Sequence, residues 1–285
     1  MFGSVTLLGS GTCRISHQAA PVSSCVILGS TTFLVDVGAG ALERLDRAGA
    51  FDGCECLHVH ISHAHIDHSI GIFPLLQCLT WSDDARHLNV KSVTIHATEE
   101  VCSLIARVQE VFGAESTSLK NGTRASDSRI LTFAPGSNYS DWNYNVNGLS
   151  VSSVHLPGAN NHGVTFSLNQ KRYALTADAT EVSDGLIEFA READVCVFDF
   201  GHITNTQKPQ GDYEIDLQPA IDLLTKAKPK LAVAAHIYLR HLQHRPLSDG
   251  ERADERSRLV RQSEELATKA GFSGRLVEGV DGMRL

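Results

Sequence analysis

The chain has 285 residues, 42% hydrophobic and 20% charged, with a formal net charge of −8 at pH 7. That apolar share is enough to bury a core and excludes a disordered chain; no apolar run approaches the roughly 18 residues of a membrane span, so no membrane partner is expected. The negative balance works against a general binder of long nucleic acid, whose phosphates it repels.

Apolar, β-branched runs broken by turn residues open the chain and predict strands at Val5–Leu8, Ser24–Leu28 and Thr32–Val37. Gly38-Ala39-Gly40 then turns the chain into a short helix over Ala41–Ala48. Cys56–Ile61 reads as a strand that runs directly into a histidine cluster. Ile70–Thr80 reads as a helix, with Pro74 tolerable only near its start. Val93–His96 predicts a strand and Glu99–Phe112 a helix. A polar stretch over 115–128 reads as a loop or a connection between halves. The pattern then restarts. Arg129–Phe133, Leu149–His155, Gly163–Asn169 and Arg172–Thr176 predict strands, followed by a helix at Ser183–Arg191 and a strand at Val195–Phe198. Leu217–Ala227 predicts a helix ending before Pro229, and Leu231–Ala234 a strand. Residues 250–270 form a charged amphipathic helix, and Gly274–Val277 a last strand. This order calls for two β-sheets packed together and covered by helices, as one domain over 1–285.

The seven cysteines are scattered among apolar neighbours. Their odd number and spacing argue against a disulfide framework, and Cys54-x-Cys56 reads as packing rather than a metal site. The amino terminus shows no basic leader or cleavage pattern, so the expectation is a reduced, cytoplasmic protein.

Histidine is the unusual residue, at 14 copies. The segment Ile61-Ser62-His63-Ala64-His65-Ile66-Asp67-His68 concentrates three of them with a carboxylate, straight after an apolar strand. A loop leaving a rigid strand can splay ligands, and imidazole with carboxylate suits Zn²⁺, Mn²⁺ or Fe²⁺. His58 and His60 alternate with Leu57, Val59 and Ile61 and read as structural residues on the opposite strand face.

H-x-H-x-D-H resembles the signature of the metallo-β-lactamase superfamily. That resemblance implies an αββα sandwich of two mixed sheets flanked by helices. The opening Leu7-Leu8-Gly9-Ser10-Gly11-Thr12, with Arg14 and Ser23-Ser24, is similar to the branch that holds RNase Z and the cyclic-nucleotide phosphodiesterases. Phe33-Leu34-Val35-Asp36-Val37-Gly38 matches that branch's second strand and turn.

The resemblance also implies the remaining ligands. Val154-His155 ends a mid-chain strand where a metal histidine is expected. Asp178, in Leu175-Thr176-Ala177-Asp178-Ala179-Thr180, takes the place of a bridging aspartate in a G-D-T turn, with Ala177 for the glycine. His236 follows a late strand, and Arg240 matches the arginine of H-x-S-x-R, with Tyr238 in place of the serine. By this assignment His63, His65 and His155 hold one divalent ion. Asp67, His68 and His236 hold the other, and Asp178 bridges. Zn²⁺ is favoured, with Mn²⁺ or Fe²⁺ as alternatives. Asp67 is also placed to orient the attacking water. His202, in Asp199-Phe200-Gly201-His202-Ile203-Thr204, resembles the branch's His-Ser-Thr and is the candidate general acid, oriented by Glu214 or Asp216. His162 follows the loop Pro157-Gly158-Ala159-Asn160-Asn161 and is a candidate substrate contact. His241, His244 and Arg245 are candidates for the rim of the site.

A two-metal core of this family acts on several ester classes, so the core alone does not choose the substrate. Arg240 and His202 suit an anionic ester and its leaving oxygen. The interval between His155 and Asp178 is too short for the long basic arm of tRNA-processing relatives. The resemblance therefore implies a phosphodiesterase for a small phosphodiester such as a cyclic nucleotide, acting as a homodimer. The alternatives are an RNase Z-like tRNA 3′-endonuclease, another ester or sulfate-ester hydrolase, or a sensor that has kept the fold.

Overall fold

Two large mixed sheets carry most of the strands. The computed structural model describes residues 4–12, 19–81, 89–111, 119–120, 123–124, 130–136, 143–146, 148–156, 161–209, 212–242 and 244–285. Arg14, Arg129, the loop residues 157–160, the end of the Glu99–Phe112 helix at Phe112 and most of the polar stretch 115–128 lie outside the described residues. The chain divides into two compact units. One comprises Met1–Gly9, Ala20–Asp141 and Gly282–Leu285, the other Ser10–Ala19 and Trp142–Asp281.

The first unit is built on a nine-stranded sheet of order β18-β1-β2-β3-β4-β5-β8-β7-β6. Its strands are β1 Ser4–Gly9, β2 Ser23–Leu28, β3 Thr31–Val35, β4 Cys56–His60, β5 Ser92–Thr98, β6 Leu119–Lys120, β7 Thr123–Arg124, β8 Ile130–Gly136 and β18 Met283–Arg284. β3, β4, β5 and β8 pair in parallel, so the chain must cross over between them, and helices supply the crossovers. Ala41 and Leu45 from Ala41–Arg47, Ile72, Leu75, Leu76 and Leu79 from Ile72–Trp81, and Val101, Cys102 and Ile105 from Glu99–Val111 pack with Leu34, Leu57, Val59, Ile61 and Ile95 in one buried cluster. Pro74 is the third residue of its helix, where its missing N–H costs no hydrogen bond. The sequence reading misses a short helix, Ile66–Ser69, because the polar cluster hides any apolar period.

The second unit is built on a seven-stranded sheet of order β17-β16-β13-β12-β11-β10-β9. Its strands are β9 Asn143–Val146, β10 Leu149–Leu156, β11 Asn161–Leu168, β12 Lys171–Leu175, β13 Val195–Asp199, β16 Leu231–Ala235 and β17 Arg275–Glu278. β9 to β12 form an antiparallel meander and β12, β13, β16 and β17 a parallel half. Helices Asp184–Ala190, Gln218–Ala227 and Asp249–Lys269 bury Leu186, Phe189, Leu223, Leu224, Leu259 and Val260 against Ala174, Cys196, Ala232 and Ala234. The charged helix opens with a capping box between Ser248 and Glu251, which satisfies donors at both ends of its first turn. A small hairpin of β14 Asn205–Gln207 and β15 Tyr213–Ile215 is too short to show in the sequence pattern.

One close approach fixes the ligand-rich segment of the first unit. Val37 N–H donates to the His68 carbonyl at 2.7 Å and Gly71 N–H to the Val37 carbonyl at 2.7 Å. A Cβ on Gly71 would lie 2.4 Å from the Gly38 oxygen, so only glycine lets these two backbones touch. Cys25, Cys54, Cys102 and Cys196 are buried free thiols, and burial pushes Cys25 and Cys196 up to about 12. Among the described residues, no helix is long and apolar enough to cross a membrane.

The sheet face opposite the helices holds the structural histidines anticipated on β4. His58 Nδ1 lies 3.1 Å from His96 Nε2, and their rings stack 5.4 Å apart beside Phe33. His60 is fully buried on the same strand. Burial pushes His96 down to about 4, with the neighbouring His58 adding to it. The fold therefore favours the neutral ring. Its contribution to stability is complete above the ordinary histidine pKa of 6.5 and is lost as pH falls from there toward about 4. Urea titrations at about pH 7 and pH 5 should show the wild type losing about 1–2 kcal/mol more over this range than His96→Phe. Equal losses in the two proteins would show that His96 does not carry this dependence.

Candidate functional site

Asp36 organises the histidine cluster of the first unit. It follows β3, is 1% exposed, and has a left-handed φ of 56°. Asp tolerates that conformation better than most residues. Its Oδ1 accepts from the Ser62 N–H at 2.8 Å. Its Oδ2 accepts from the Ser62 hydroxyl at 2.9 Å and from His68 Nδ1 at 2.8 Å. Burial alone would push this carboxyl up. The imidazole of His68, then His63 and the Ser62 amide, outweigh burial and hold it below the usual carboxylate value.

These bonds fix the ring protons. Ser62 has one hydroxyl proton, and it goes to Asp36. The Ser62 oxygen therefore accepts from His63 Nδ1, 2.9 Å away, and His63 Nε2 is left as a lone pair. That lone pair lies 2.9 Å from His65 Nδ1, with the two rings edge to face at 4.5 Å. His68 likewise gives its Nδ1 proton to Asp36, which makes Nε2 its ligand atom. Asp67 is buried in the first turn of Ile66–Ser69. The sequence-predicted set His63, His65, Asp67 and His68 is thus brought to one loop and one helical turn. Neutral imidazoles with oriented lone pairs and a buried carboxylate are what Zn²⁺ and its neighbours bind, so this donor set fits a divalent ion.

A second cluster closes the parallel half of the second unit. Asp178 follows β12, Asp199 ends β13, His202 lies one turn into the helix Phe200–Thr204, and His236 follows β16. One ligand atom from each of Asp178, Asp199, His202 and His236 lies within 4.8 Å of the others. His236 Nδ1 donates to Asp199 Oδ2 at 3.1 Å and sits 3.3 Å from Asp178 Oδ1. His202 Nδ1 donates to the same Asp199 oxygen, and the His202 N–H donates to Asp199 Oδ1 at 2.8 Å as a helix cap. Two of the strand ends are held in left-handed geometry, Ala177 with φ 47° and His236 with φ 54°. The resemblance implies glycine at the place of Ala177, and glycine adopts this φ without strain. Such strain gathers at sites where surroundings over-determine the backbone.

Three expectations change here. The carboxylate that orients His202 is Asp199, its own helix cap, and neither Glu214 nor Asp216. Glu214 pairs with Lys208 at 2.8 Å, and Asp216 caps the Gln218 N–H at 2.9 Å. His162, read as following a loop, lies inside β11 at 0% exposure, directly across from His155 on β10 with the rings 5.5 Å apart. His241, read as a rim candidate, faces Glu255 of the long charged helix at 3.4 Å. Arg240 lies with its guanidinium over the rings of Tyr213 and Tyr238.

Asp36 and Asp199 were not singled out as functional from the sequence. A shared signal marks them. Each ends an apolar strand and is followed by one apolar residue and a glycine, as Asp36-Val37-Gly38 and Asp199-Phe200-Gly201. A carboxylate in that position has no water to face, so it must find donors inside.

Comparisons with known proteins bear on the fold and the family. No curated protein matches the sequence at a significant level. Among solved structures, the metallo-β-lactamase fold protein YhfI from Bacillus subtilis is similar at 14% identity and TM-score 0.67, covering 99% of this chain and 98% of that one. The short form of human tRNase Z is similar at 15% identity and TM-score 0.63, covering 99% and 98%. A diphosphatase of the PhnP family is similar at 16% identity and TM-score 0.63, covering 99% and 97%. At such identities the likeness establishes the fold, two mixed sheets flanked by helices. A family model, the beta-lactamase superfamily domain, matches residues 31–237, from the start of β3 to just past His236. The chain belongs to the metallo-β-lactamase superfamily, whose members are metal-dependent hydrolases.

Proposed function

We propose that this chain is a dinuclear metal-dependent phosphodiesterase for small phosphodiesters such as cyclic nucleotides. The observation that carries the reading is the pairing of His202 with the buried carboxylate of Asp199, beside an arginine suited to an anionic ester. His202 is 19% exposed at its side chain, while Asp199 is fully buried. A partly exposed imidazole backed by a buried carboxylate is the arrangement of a proton donor or acceptor that meets substrate on its open side. Arg240, on the turn after His236, offers a planar fork for a non-bridging phosphoryl oxygen. A tRNase and a diphosphatase stand among the similar structures, which supports phosphate esters as substrates of this fold.

The ligand assignment follows the family order: His63, His65 and His155 for one ion, Asp67, His68 and His236 for the other, and Asp178 bridging. When bound, two divalent ions, Zn²⁺ by preference, supply Lewis acidity and lower the pKa of water. The protein residues do the rest. Asp36, directly and through Ser62, keeps the Nε2 lone pairs of His68 and His63 outward. Asp199 does the same for His236. Asp67 provides an acceptor that orients the attacking water. His202 gives a proton to the leaving oxygen, and Arg240 balances the charge of the ester. The reading includes a single catalytic domain over 1–285, a cytoplasmic homodimer and no long nucleic-acid substrate, consistent with the net charge of −8.

Elemental analysis of protein purified without chelator should give two divalent ions per chain, and His63→Ala should lose metal together with activity on every substrate. A stoichiometry near one would sink the dinuclear assignment. The substrate class is tested with 3′,5′- and 2′,3′-cyclic nucleotides, bis(p-nitrophenyl) phosphate and precursor tRNA, each with Zn²⁺ and Mn²⁺. Precursor tRNA cleaved at far higher kcat/KM than any cyclic nucleotide would replace this reading with the endonuclease.

Replacing His202 with Ala should leave the metal content intact. It should lower kcat by about 10²–10⁴-fold on alkyl leaving groups and far less on an activated aryl ester, which needs little protonation as it departs. Equal losses on both would remove His202 from the acid role, and a loss of metal would make it a ligand.

A further inference from the structure

Tyr238 stands where the family's pattern has serine, and the structure builds a place for its ring. A Cβ on Gly201 would lie 2.3 Å from Tyr238 Cδ2 and 2.3 Å from the His236 carbonyl oxygen. Glycine at 201 is therefore what lets the tyrosine lie against the start of the helix Phe200–Thr204. The Tyr238 ring meets both neighbouring imidazoles nearly edge-on. Its centroid is 4.8 Å from that of His202, at 84°, and 4.8 Å from that of His236, at 68°. Its hydroxyl is 3.3 Å from His202 Nε2 and 3.4 Å from Nδ1. His202 is thus held from two sides, by Asp199 at Nδ1 and by Tyr238 along its outer edge.

The same ring reaches Arg240. The guanidinium carbon lies 4.9 Å from the Tyr238 centroid and 5.1 Å from that of Tyr213 on β15, inside the range of cation–π attraction. Arg240 Nη1 also donates to the Tyr213 hydroxyl at 3.4 Å. Arg240 is half-buried, and among the described residues it forms no ion pair. Two π faces hold the guanidinium in place without neutralising it. A guanidinium held between aromatic rings and, among the described residues, not ion-paired is complementary to an oxyanion.

We propose that Tyr213 and Tyr238 clamp Arg240 as a pre-oriented phosphate-binding fork, and that Tyr238 at the same time positions His202, joining anion affinity to proton delivery through one side chain. The proton half rests on the phosphodiesterase reading above; the clamp does not. Serine at 238 would have neither the ring nor the reach to join the two groups. Tyr213 and Tyr238 are positioning residues, acting through Arg240 and His202.

The test separates the two halves. Inorganic phosphate binding to Zn²⁺-loaded protein, measured by calorimetry, should weaken about tenfold in Tyr213→Leu and stay within about twofold in Tyr238→Phe, which keeps the ring. On a phosphodiester with an alkyl leaving group, Tyr238→Phe should lower kcat about five- to tenfold with KM unchanged. Tyr213→Leu should raise KM with kcat unchanged. Phosphate binding that is absent in the wild type, or unaffected by Tyr213→Leu, overturns the clamp. A Tyr238→Phe effect that is nil, or that moves kcat and KM together, overturns the link to His202. If the wild type turns over no phosphodiester at all, the functional reading and the link to His202 fail with it, and the phosphate arm still decides the clamp.

Discussion

A buried carboxylate that takes the Nδ1 proton of an imidazole is the interaction on which both clusters rest. Removing a charged carboxylate from water is costly, and only dense donation compensates for it. Asp36 receives the Ser62 amide, the Ser62 hydroxyl and the His68 ring, and its carboxyl is held below the usual value despite full burial. Because those donors are committed, the protons on His63 and His68 are no longer free to choose a nitrogen. Ring orientation and tautomer are set before any ligand arrives. The same bonds tie the strand end at Asp36 to the loop that carries the histidines, so fold and chemistry share one group.

Asp199 repeats the arrangement in the second unit. One of its oxygens takes Nδ1 of both His202 and His236, and the other caps the helix that carries His202. Sharing one acceptor holds the two rings stacked, 5.6 Å apart. Their exposures then separate their tasks. His236 is buried at 2%, as a ligand would be, while His202 is 19% exposed and has the Tyr238 hydroxyl 3.3 Å from its Nε2. Histidines of like chemistry are thereby assigned different work by burial and by what stands at their far side.

Much of this was legible in the sequence, for physical reasons that can be named. Strands such as Thr31–Val35 and Val195–Asp199 are buried on both faces, so they read as unbroken apolar runs. H-x-H-x-D-H was legible because ligands cluster where a strand ends. The helix Ile66–Ser69 was not, since its four residues carry ligands instead of an apolar stripe. The sequence points downstream, to Glu214 or Asp216, for the partner of His202, whereas the helix N-cap three residues upstream faces the ring. His162 reads as the residue after a loop, and β11 starts one residue before it, at Asn161. Asp36 and Asp199 were passed over because a lone aspartate at a strand end carries no ligand pattern. Their role depends on donors from elements distant in sequence, the Ser62 loop in one case and His236 in the other.

The claim that buried carboxylates set the histidine tautomers has a direct test. Long-range ¹H–¹⁵N correlation spectra of the metal-free protein at neutral pH, with assignments confirmed by His68→Gln and His236→Gln, report which ring nitrogen carries the proton. The account predicts a proton on Nδ1 of both His68 and His236. A proton on Nε2 with a bare Nδ1 at either residue would contradict it, since neither ring could then donate to its aspartate.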